Sequence, residues 1–505
     1  MLTLTQPLYR VARFRRAAHA IASPSPALTW EQFTDRVARL AGGLRARGLE
    51  PGDRVAILAE NSAAYLQLYL AIPWAGLVMV PLNTRWAQRE LIDAVRDCGA
   101  KTLIADESFL TLAQYVGEQV ECVRDVIRAS SEHIDALSQA EPVADAALAD
   151  DQTAALFYTG GTTGRSKGVM LTPRGLMVTT LQVVQGAGLH EGAVVLQSAP
   201  LYHMAAGGVL YATLMAGAAS VVLPRFEPVA VMKAIQDGRV THALLVPTML
   251  EMVLSHPEFG RYEMGSLERI IYGASPMPEA LLRRAMARLP SVRFTQFYGM
   301  TELSPVATYL HPDDHVLEGD AARRLRSAGR ALPLCDVRIV DGADGELPAG
   351  EIGEIIVRGP GVMKGYWGMP EATAAALRGG FMHTGDAGYI DEDGYLFIVD
   401  RVKDMIISGG ENVYSTEVEN AVYAHASVQE CAVVGLPDDK WGEIVCAVVY
   451  PVPGSILAER DLLAHCESRI ARYKCPKRIV LVDEPLPKTG AGKIQKTEIR
   501  KQLRA

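Results

Sequence analysis

The chain has 505 residues, of which 49% are hydrophobic and 21% charged, and its formal net charge is -8. This length exceeds what one compact core supports, so a large domain with at least one further domain is expected. The acidic balance argues against a nucleic-acid partner, because such proteins present a basic face to phosphates. Seven scattered cysteines without a C-x-x-C pair favour free thiols in a reducing compartment, here the cytoplasm.

Two apolar stretches have the length of membrane spans. Residues 193–224 contain no charged residue, and residues 61–83 are similarly apolar. Proline and glycine interrupt both stretches, which is typical of buried strands and helices in an α/β core. The arginine-rich N-terminus lacks a continuous apolar run, so the sequence predicts neither a secretory signal nor a transmembrane segment.

Helical and strand patterns alternate along the first three hundred or so residues. Thr29 and Gln32 form a capping-box pattern that starts a helix, and Gly48 ends it. This alternation is typical of parallel sheets covered by helices. The predicted strands of this region are Arg54–Leu58, Lys101–Ala105, Ala193–Ser198, Ser220–Leu223, His242–Val246, Arg269–Tyr272 and Arg293–Phe297.

The pattern changes towards the C-terminus. Short, hairpin-rich strands at Val337–Val340, Gly353–Val357 and Tyr395–Val399 predict a small β subdomain. Beyond the break near Arg401–Lys403, a separate alternation of helices and strands predicts a small α+β domain. The predicted fold class is therefore α/β: parallel-rich sheets covered by helices, a small β subdomain and a C-terminal α+β domain.

One glycine-rich loop is the most informative motif. Tyr158–Gly168 reads YTGGTTGRSKG and follows an apolar strand pattern. Its glycines expose backbone N–H groups, and its hydroxyls and Lys167 suit a polyphosphate. It is not a Walker loop, because Gly168 follows Lys167 and the helix start comes later, at Thr172. On its own, the run also fits an ordinary Gly/Thr-rich hairpin turn.

Further motifs follow this loop along the chain. They are Tyr298–Glu302 (YGMTE), His383–Asp386 (HTGD), Asp400–Asp404 (DRVKD), Ser408–Asn412 (SGGEN) and Gly492-Lys493. Together, in this order and spacing, they resemble the AMP-forming acyl-CoA synthetases of the acyl-CoA synthetase, adenylation-domain and luciferase superfamily. The resemblance spans about residue 25 to Lys496, nearly the whole chain.

This resemblance implies a reaction in two steps, with ATP, Mg²⁺ and coenzyme A as cofactors and a small-molecule carboxylic acid as substrate. The acid first displaces pyrophosphate from ATP to give an acyl-adenylate, and CoA then displaces AMP. The implied domains are 1–400 for ATP and acyl binding, a hinge at 401–403 centred on Lys403, and a mobile C-terminal domain, 404–505. The oligomeric state stays open, and a homodimer is compatible with the sequence.

The resemblance also implies roles for individual residues of the N-terminal domain. Glu302 and Thr163 would hold Mg²⁺, since a hard cation prefers oxygen ligands. Asp386 would bind the ribose hydroxyls and Arg401 the ribose or phosphate. Taken alone, Glu302 and Asp386 also fit ordinary helix-cap and turn positions. The nucleotide-binding set is Thr159, Thr162, Thr163, Gly164, Lys167, Gly273, Ala274, Ser275, Gln296, Phe297, Tyr298, Gly299, Thr301, Asp386 and Arg401.

In the C-terminal domain, the resemblance makes Lys493 the cation that neutralises charge between the carboxylate and the α-phosphate. Gly409 and Gly410 would approach the pantetheine chain, and Trp441 would stack on the CoA adenine. Without the motifs around them, Lys493 would be an ordinary solvated lysine and Trp441 a packing aromatic.

The acyl group is the least determined part of the reaction. No carboxylate follows Ser198-Ala199-Pro200, where amino-acid-activating relatives place one, so a neutral or apolar acid is favoured. His203 would be the pocket wall, with small residues beside it. The resemblance favours a medium- or long-chain fatty acid, and the alternatives are a phenylpropanoid acid, loading of an acyl carrier protein, or a non-catalytic binder.

Overall fold

The structure is a computed structural model, and it describes residues 2–22, 27–129, 131–159, 166–401, 404–408, 411–438, 440–489 and 493–504. Within these residues, the strands form four sheets. Two large sheets carry most of the N-terminal domain, a smaller one follows them in the chain, and the last belongs to the C-terminal domain.

The strands of the first part of the chain are β1 His19–Ile21, β2 Leu28–Thr29, β3 Arg54–Leu58, β4 Val78–Pro81, β5 Thr102–Ala105, β6 Asp125–Arg128, β7 Ala155–Thr159, β8 Lys167–Leu171, β9 Val194–Gln197, β10 Ala219–Val222, β11 His242–Leu244, β12 Arg269–Gly273, β13 Arg293–Tyr298, β14 Thr308–Leu310 and β15 Arg330–Ala331. Those that follow are β16 Asp336–Val340, β17 Gly353–Arg358, β18 Gly365–Tyr366, β19 Met382–Ile390, β20 Leu396–Arg401, β21 Ile406–Ser408, β22 Glu411–Val413, β23 Val428–Asp438, β24 Gly442–Pro451 and β25 Arg478–Leu481.

The helices are α1 Gln6–Phe14, α2 Trp30–Ala46, α3 Ala63–Trp74, α4 Gln88–Cys98, α5 Leu110–Glu118, α6 Ser131–Leu137, α7 Pro173–Ala187, α8 Met204–Ala216, α9 Pro228–Asp237, α10 Pro247–Leu254, α11 Glu279–Arg288, α12 Pro370–Ala376, α13 Ser415–Tyr423, α14 Glu459–Glu467 and α15 Lys496–Arg504. The predicted helix starts are confirmed: Thr29 and Gln32 form a reciprocal capping box, and Thr172 accepts a hydrogen bond from the Gly175 N–H.

Both large sheets have parallel centres, and antiparallel pairs lie at both edges of the first sheet and at one edge of the second. The first runs β15-β14-β13-β12-β11-β9-β10-β1-β2, and its pairs from β13 to β1 are parallel. The second runs β18-β8-β7-β4-β3-β5-β6, with β7, β8 and β18 pairing antiparallel. Because parallel strands present their carboxyl ends at one edge, the loops after β7, β12 and β13 are the natural place for a binding site.

The smaller sheets match the predicted subdomain and C-terminal domain. Strands β16, β17, β19 and β20 form an antiparallel sheet, and β21–β25 form a mixed sheet with α13 packed against β23. Buried hydrophobic clusters of residues 4–397 and of residues 406–499 share no member among the described residues. The chain therefore folds around separate cores on either side of Arg401.

The two apolar stretches lie inside the N-terminal core. Residues 193–224 form β9, a loop, α8 and β10, as predicted, and residues 61–83 form α3 and β4. Pro73 lies within the last turn of α3 and does not interrupt the helix. Every helix in the described ranges is too short or too polar to cross a lipid bilayer.

Gly329 is the most closely packed glycine among the described residues of the N-terminal domain. Its φ is +84°, and an added Cβ would lie 1.9 Å from the Tyr309 carbonyl oxygen. Gly394 has a similar φ of +82° but open space around it. We expect Gly329→Ala to cost at least about 3 kcal/mol, from left-handed strain plus overpacking, and Gly394→Ala about 1–2 kcal/mol from strain alone.

Thermal and urea unfolding of both variants check this expectation. Equal destabilisation of the two proteins would mean that the chain relaxes around Gly329, contrary to the contact described here.

Candidate active site

The glycine-rich loop is held by the β7–β8 hairpin. Thr159 and Lys167 face each other in the antiparallel ladder, as the last pair before the loop that connects the two strands. Tyr158 anchors the hairpin by donating its hydroxyl to Asp97 Oδ2 over 2.7 Å. The predicted residues Thr162, Thr163 and Gly164 lie outside the described residues. Lys167 is half-buried, and its ammonium lies 4.7 Å from the centre of the Tyr366 ring.

Glu302 is a buried carboxylate at the end of the YGMTE motif. It lies in a short 3-10 turn, Thr301–Leu303, directly after β13, and only 4% of it is exposed. Its Oε1 accepts a hydrogen bond of 3.0 Å from the Tyr366 hydroxyl. Burial raises the pKa of Glu302, and the Tyr366 hydrogen bond and the charges of Arg401 and Lys167 act in the opposite direction. Two cations therefore lie near this carboxylate.

Asp386 joins the two strands that lead to the domain junction. In the ladder it pairs with Arg401, and its Oδ1 lies 2.9 Å from Arg401 Nε. Its Oδ2 accepts a 2.9 Å hydrogen bond from the Tyr298 hydroxyl, and its own N–H donates to Thr384. Arg401 and Tyr298 thus orient both carboxylate oxygens of Asp386 without a bound ribose. Burial and Asp386 together raise the pKa of Tyr298 well above its ordinary value.

Lys493 lies beside this pair, although it belongs to the other domain. Thr489 bonds to it twice: the Thr489 N–H donates to the Lys493 carbonyl over 2.7 Å, and the Lys493 N–H donates to Thr489 Oγ1 over 3.2 Å. The side chain is accessible to solvent but is crowded by protein. This crowding, with the charge of Arg401, lowers the pKa of Lys493 from 10.5 to about 8, against the opposing effect of Asp386. The structure therefore places Lys493, Arg401 and Asp386 in one site.

The strand ends predicted to frame the adenine meet as a pair. Gly273 ends β12 opposite Phe297 of β13, and a Cβ at Gly273 would lie 2.2 Å from the Phe297 carbonyl oxygen. Ala274 follows in the left-handed region, with φ of +62°, and Ser275 is half-buried beside it. This backbone geometry turns the chain sharply at the sheet edge. A side chain at Gly273 has no room there.

Side chains of β13 divide between the site and the core. Tyr298 reaches Asp386, whereas the Phe297 ring packs against Gly186 of α7 and stacks on Tyr309. The predicted contribution of Phe297 is thus restricted to its backbone, because successive strand residues point to opposite faces. Gln296 is buried, and Gly299 is enclosed by the backbone of Pro305 and Val306.

His203 lies at the start of α8, next to a second aromatic ring. The Tyr202 and His203 rings are 4.6 Å apart, and His203 Nε2 is buried without a hydrogen-bond partner among the described residues. Burial and the charge of Arg85 lower the pKa of His203 to about 4. The imidazole is therefore neutral near pH 7. It offers a polar pocket wall with an unused nitrogen, not a charged group.

The predicted CoA contacts are only partly described. Gly409, Gly410 and the hinge residue Lys403 lie outside the described residues. Trp441 is 40% exposed, and the Lys477 ammonium lies 3.6 Å from its ring centre. Lys440 also lies near this ring, at 5.0 Å. One side of the indole thus contacts a cation, which an adenine base stacking on the same face would have to displace.

Charged contacts join the two domains at this site. The Asp400 carboxylate accepts a 2.6 Å hydrogen bond from the N–H of Ser415, the first residue of α13. Arg85 donates to the Thr489 carbonyl of the Lys493 loop over 3.4 Å. Burial alone would lower the pKa of Lys496, but Glu419 and Asp400 raise it, so this lysine stays charged. Thr489 and Lys496, which precede and follow Lys493 in the chain, therefore both interact with the N-terminal domain.

Sequence reasoning missed Tyr366 and Arg85. Tyr366 lies in the run Gly365-Tyr366-Trp367, and Arg85 follows β4 by a few residues. Neither residue belongs to a motif used above, and both reach the site through strand pairing or loop packing. A tyrosine in a short strand carries no local signal that its hydroxyl meets a carboxylate sixty-four positions away.

Comparisons with known proteins agree with this geometry. The AMP-binding enzyme family matches residues 8–367, and the AMP-binding enzyme C-terminal domain matches residues 417–493. Feruloyl-CoA synthase from an Amycolatopsis species is 42% identical over 496 residues, covering 98% of each chain. Long-chain-fatty-acid–CoA ligase FadD13 from Mycobacterium tuberculosis is 35% identical over 496 residues, covering 97% of this chain and 96% of that protein.

The chain also superposes on a solved structure in two states. ATP-bound MatB from Rhodopseudomonas palustris is 33% identical, with a TM-score of 0.89, over 100% of this chain and 99% of MatB. Apo MatB, at the same coverage, gives a TM-score of 0.80. The chain belongs to the AMP-binding enzyme family, as the motifs predicted, and its described structure is more similar to the ATP-bound state.

The lowered pKa of Lys493 predicts a pH dependence. If the ammonium is required, kcat/KM for adenylate formation falls as pH rises above about 8, because the free enzyme loses the proton there. Lys493→Ala loses about 10²–10³ in rate and lacks this alkaline limb. Pyrophosphate release at several pH values measures both.

An alkaline limb that survives in Lys493→Ala would assign the titration to another group. Lys496 is the control residue, since its raised pKa keeps it charged through the same range.

Proposed function

We propose that this enzyme, a carboxylic acid:CoA ligase, activates aromatic acids of the phenylpropanoid kind. The sequence favoured a medium- or long-chain fatty acid and left a phenylpropanoid acid as an alternative. The proposal selects this alternative. Relatives with both kinds of name were found, and the feruloyl-CoA synthase is the more similar of the two described above. The observation that carries the proposal is how little space surrounds the glycines of α8.

These glycines do not open a deep pocket. A Cβ at Gly207 would lie 3.0 Å from the Tyr69 hydroxyl, and one at Gly208 would lie 3.1 Å from Pro305 Cδ. Both glycines are buried, and the Tyr69 hydroxyl donates to the Leu201 carbonyl, which holds the ring in place. At these two positions, protein atoms therefore leave little room beside the helix. A short, flat acyl group beside the rings of Tyr202 and His203 fits this arrangement better than a long chain.

The first step joins two anions. A carboxylate oxygen of the acid attacks the α-phosphorus of ATP, the bond to the β-phosphate oxygen breaks, and pyrophosphate leaves. We propose that Lys493 neutralises the charge between the carboxylate and the α-phosphate and that Lys167 binds the departing phosphates. Asp386 and Arg401 would bind the ribose. Such preorganised charges act where negative charge develops, which is where they stabilise the transition state most.

Glu302 fits a magnesium site that includes substrate oxygens. Its carboxylate is buried near Lys167, at the edge where the phosphates would lie. Among the described residues, no group of three or more His, Cys, Asp and Glu side chains is placed to hold a metal. Mg²⁺ commonly uses one or two carboxylates plus phosphate oxygens, so we infer that Glu302 would hold it together with ATP. Bound Mg²⁺ would neutralise phosphate charge.

The second step needs a different arrangement. The CoA thiol attacks the acyl carbon, the acyl–phosphate bond breaks, and AMP leaves. Lys493 lies near Asp386 and Arg401 in the described state, so we propose that the C-terminal domain, 404–505, rotates about Lys403 to admit CoA. Gly409, Gly410 and Trp441 would then line the CoA path. A cytoplasmic location and a homodimer stay predictions.

The substrate proposal predicts a clear order of activity. With ATP and Mg²⁺, we expect kcat/KM for ferulate and coumarate at least ~10-fold above that for any C6–C18 fatty acid, a difference of about 1.4 kcal/mol in transition-state binding. Mass spectrometry identifies the acyl-CoA and AMP products.

A preference for C12–C16 acids would overturn the aromatic assignment and return to the fatty-acid interpretation. The kcat/KM values for benzoate and indoleacetate measure how much the propenoic linker contributes to recognition. Acyl-adenylate that accumulates in the presence of CoA would instead indicate a different acceptor, such as a carrier protein.

The CoA assignment predicts a separable defect. Trp441→Ala removes a stacking surface worth about 1–2 kcal/mol, so KM for CoA rises roughly 10-fold while adenylate formation is unchanged. Single-turnover measurements of each step make the comparison. Tyr473→Ala, which also removes an exposed aromatic of this domain, serves as the matched control. An equal loss in both steps would remove Trp441 from the CoA path.

A further inference from the structure

The geometry points to Tyr366 as a positioning residue for the triphosphate end of the site. We propose that its ring orients Lys167 while its hydroxyl orients Glu302, so that one side chain sets the separation between a cation and a carboxylate. This inference rests on the proposed adenylation reaction. It adds a residue outside the motifs that identified the family.

The backbone around Tyr366 is fixed to the strand that carries Lys167. Strand β18 pairs antiparallel with β8, with Tyr366 opposite Val169. The Tyr366 N–H donates to Thr373 Oγ1 over 2.9 Å, and the Trp367 N–H donates to the Gly168 carbonyl over 2.8 Å. The ring is therefore held at a defined height beside the first residues of β8. Its centre lies 4.7 Å from Lys167 Nζ, within cation–π range.

The same segment holds Glu302 at two points. The Tyr366 hydroxyl donates to Glu302 Oε1 over 3.0 Å, and the Met363 N–H donates to the Glu302 carbonyl over 2.8 Å. Among the described side chains, Tyr366 is the one that donates a hydrogen bond to this carboxylate, and the backbone N–H of Glu302 adds a second. A hydrogen bond to a charged acceptor favours one rotamer of that acceptor strongly.

A buried tyrosine could also serve packing alone, and the two interpretations differ in what they predict. Packing requires only the ring, and its loss lowers stability without changing ligand affinity selectively. Positioning requires the hydroxyl for Glu302 and the ring for Lys167, so two substitutions separate the functions. Tyr366→Phe keeps the ring and removes the hydroxyl. Tyr366→Leu removes both.

Tyr395 provides a matched control. Its hydroxyl also donates to a carboxylate, Asp314 Oδ1, over 2.6 Å, and its ring also lies near arginine cations. It lies at the far end of the β19–β20 hairpin from Asp386 and Arg401. Tyr395→Phe therefore makes the same chemical change at a buried tyrosine remote from the site.

The experiment measures ATP binding by calorimetry over a range of Mg²⁺ concentrations, and Mn²⁺ binding to the ATP complex by electron paramagnetic resonance. No acid or CoA is added, so the identity of the acid cannot affect the result. In Tyr366→Phe, we expect the Mg²⁺ concentration for half-maximal ATP binding to rise about 10-fold, the size of one lost charge-assisted hydrogen bond. Affinity for ATP without Mg²⁺ is unchanged. Tyr366→Leu weakens that affinity as well, and Tyr395→Phe changes neither.

A double substitution tests whether the effect passes through Glu302. Tyr366→Phe should have no further effect on the Mg²⁺ requirement in a Glu302→Gln background, because the oriented carboxylate is already gone. An additive effect, or wild-type Mg²⁺ dependence in Tyr366→Phe, would overturn the proposal. Melting temperatures check folding, and a Tyr366→Leu protein that fails to fold leaves the Phe variant and the double substitution as the decisive comparison. A wild-type protein that binds no ATP would instead overturn the adenylation reaction.

Discussion

The site depends on holding cations together so that two anions can react. Lys493, Arg401 and Lys167 all lie near Asp386 or Glu302. Without Asp386, Lys493 and Arg401 would repel each other in a partly desolvated cleft, where such repulsion is stronger than in water. Burial is the larger cause of the lowered pKa of Lys493, and repulsion from Arg401 adds to it. The two carboxylates are thus as necessary to the arrangement as the cations that would contact the substrate.

The sheet architecture supplies the required precision. Asp386 and Arg401 face each other in the ladder of β19 and β20, so their ion pair follows from strand register and not from loop packing. Tyr298 reaches Asp386 from the end of β13 in another sheet. A site built at strand ends keeps its charges in place with little further loss of entropy. The rotation proposed above then involves only the domain that carries Lys493.

Much of this arrangement could be predicted from the sequence. The bounds of Arg54–Leu58 match the predicted strand to the residue, because a short continuous apolar run next to a clear turn signal leaves few choices. The motif residues Glu302, Asp386 and Lys493 were identified by resemblance, and the structure brings Asp386 and Lys493 together. Contacts made by strand pairing could not be predicted from the sequence. The hydrogen bond from Tyr366 to Glu302 depends on a strand register that local sequence patterns do not contain. The assignment of Phe297 to the pocket overlooked the strand alternation that turns its ring into the core.

The hydrogen bond between Asp400 and Ser415 makes the start of helix α13 depend on the N-terminal domain. The Tyr414 side chain does not cap this helix, so its first N–H is satisfied by a carboxylate that belongs to the N-terminal domain. A missing cap typically costs about 1 kcal/mol. If the domains rotate about the segment between them, α13 must exchange this carboxylate for water or for another acceptor. The balance between the two catalytic states is then set partly at the end of a helix.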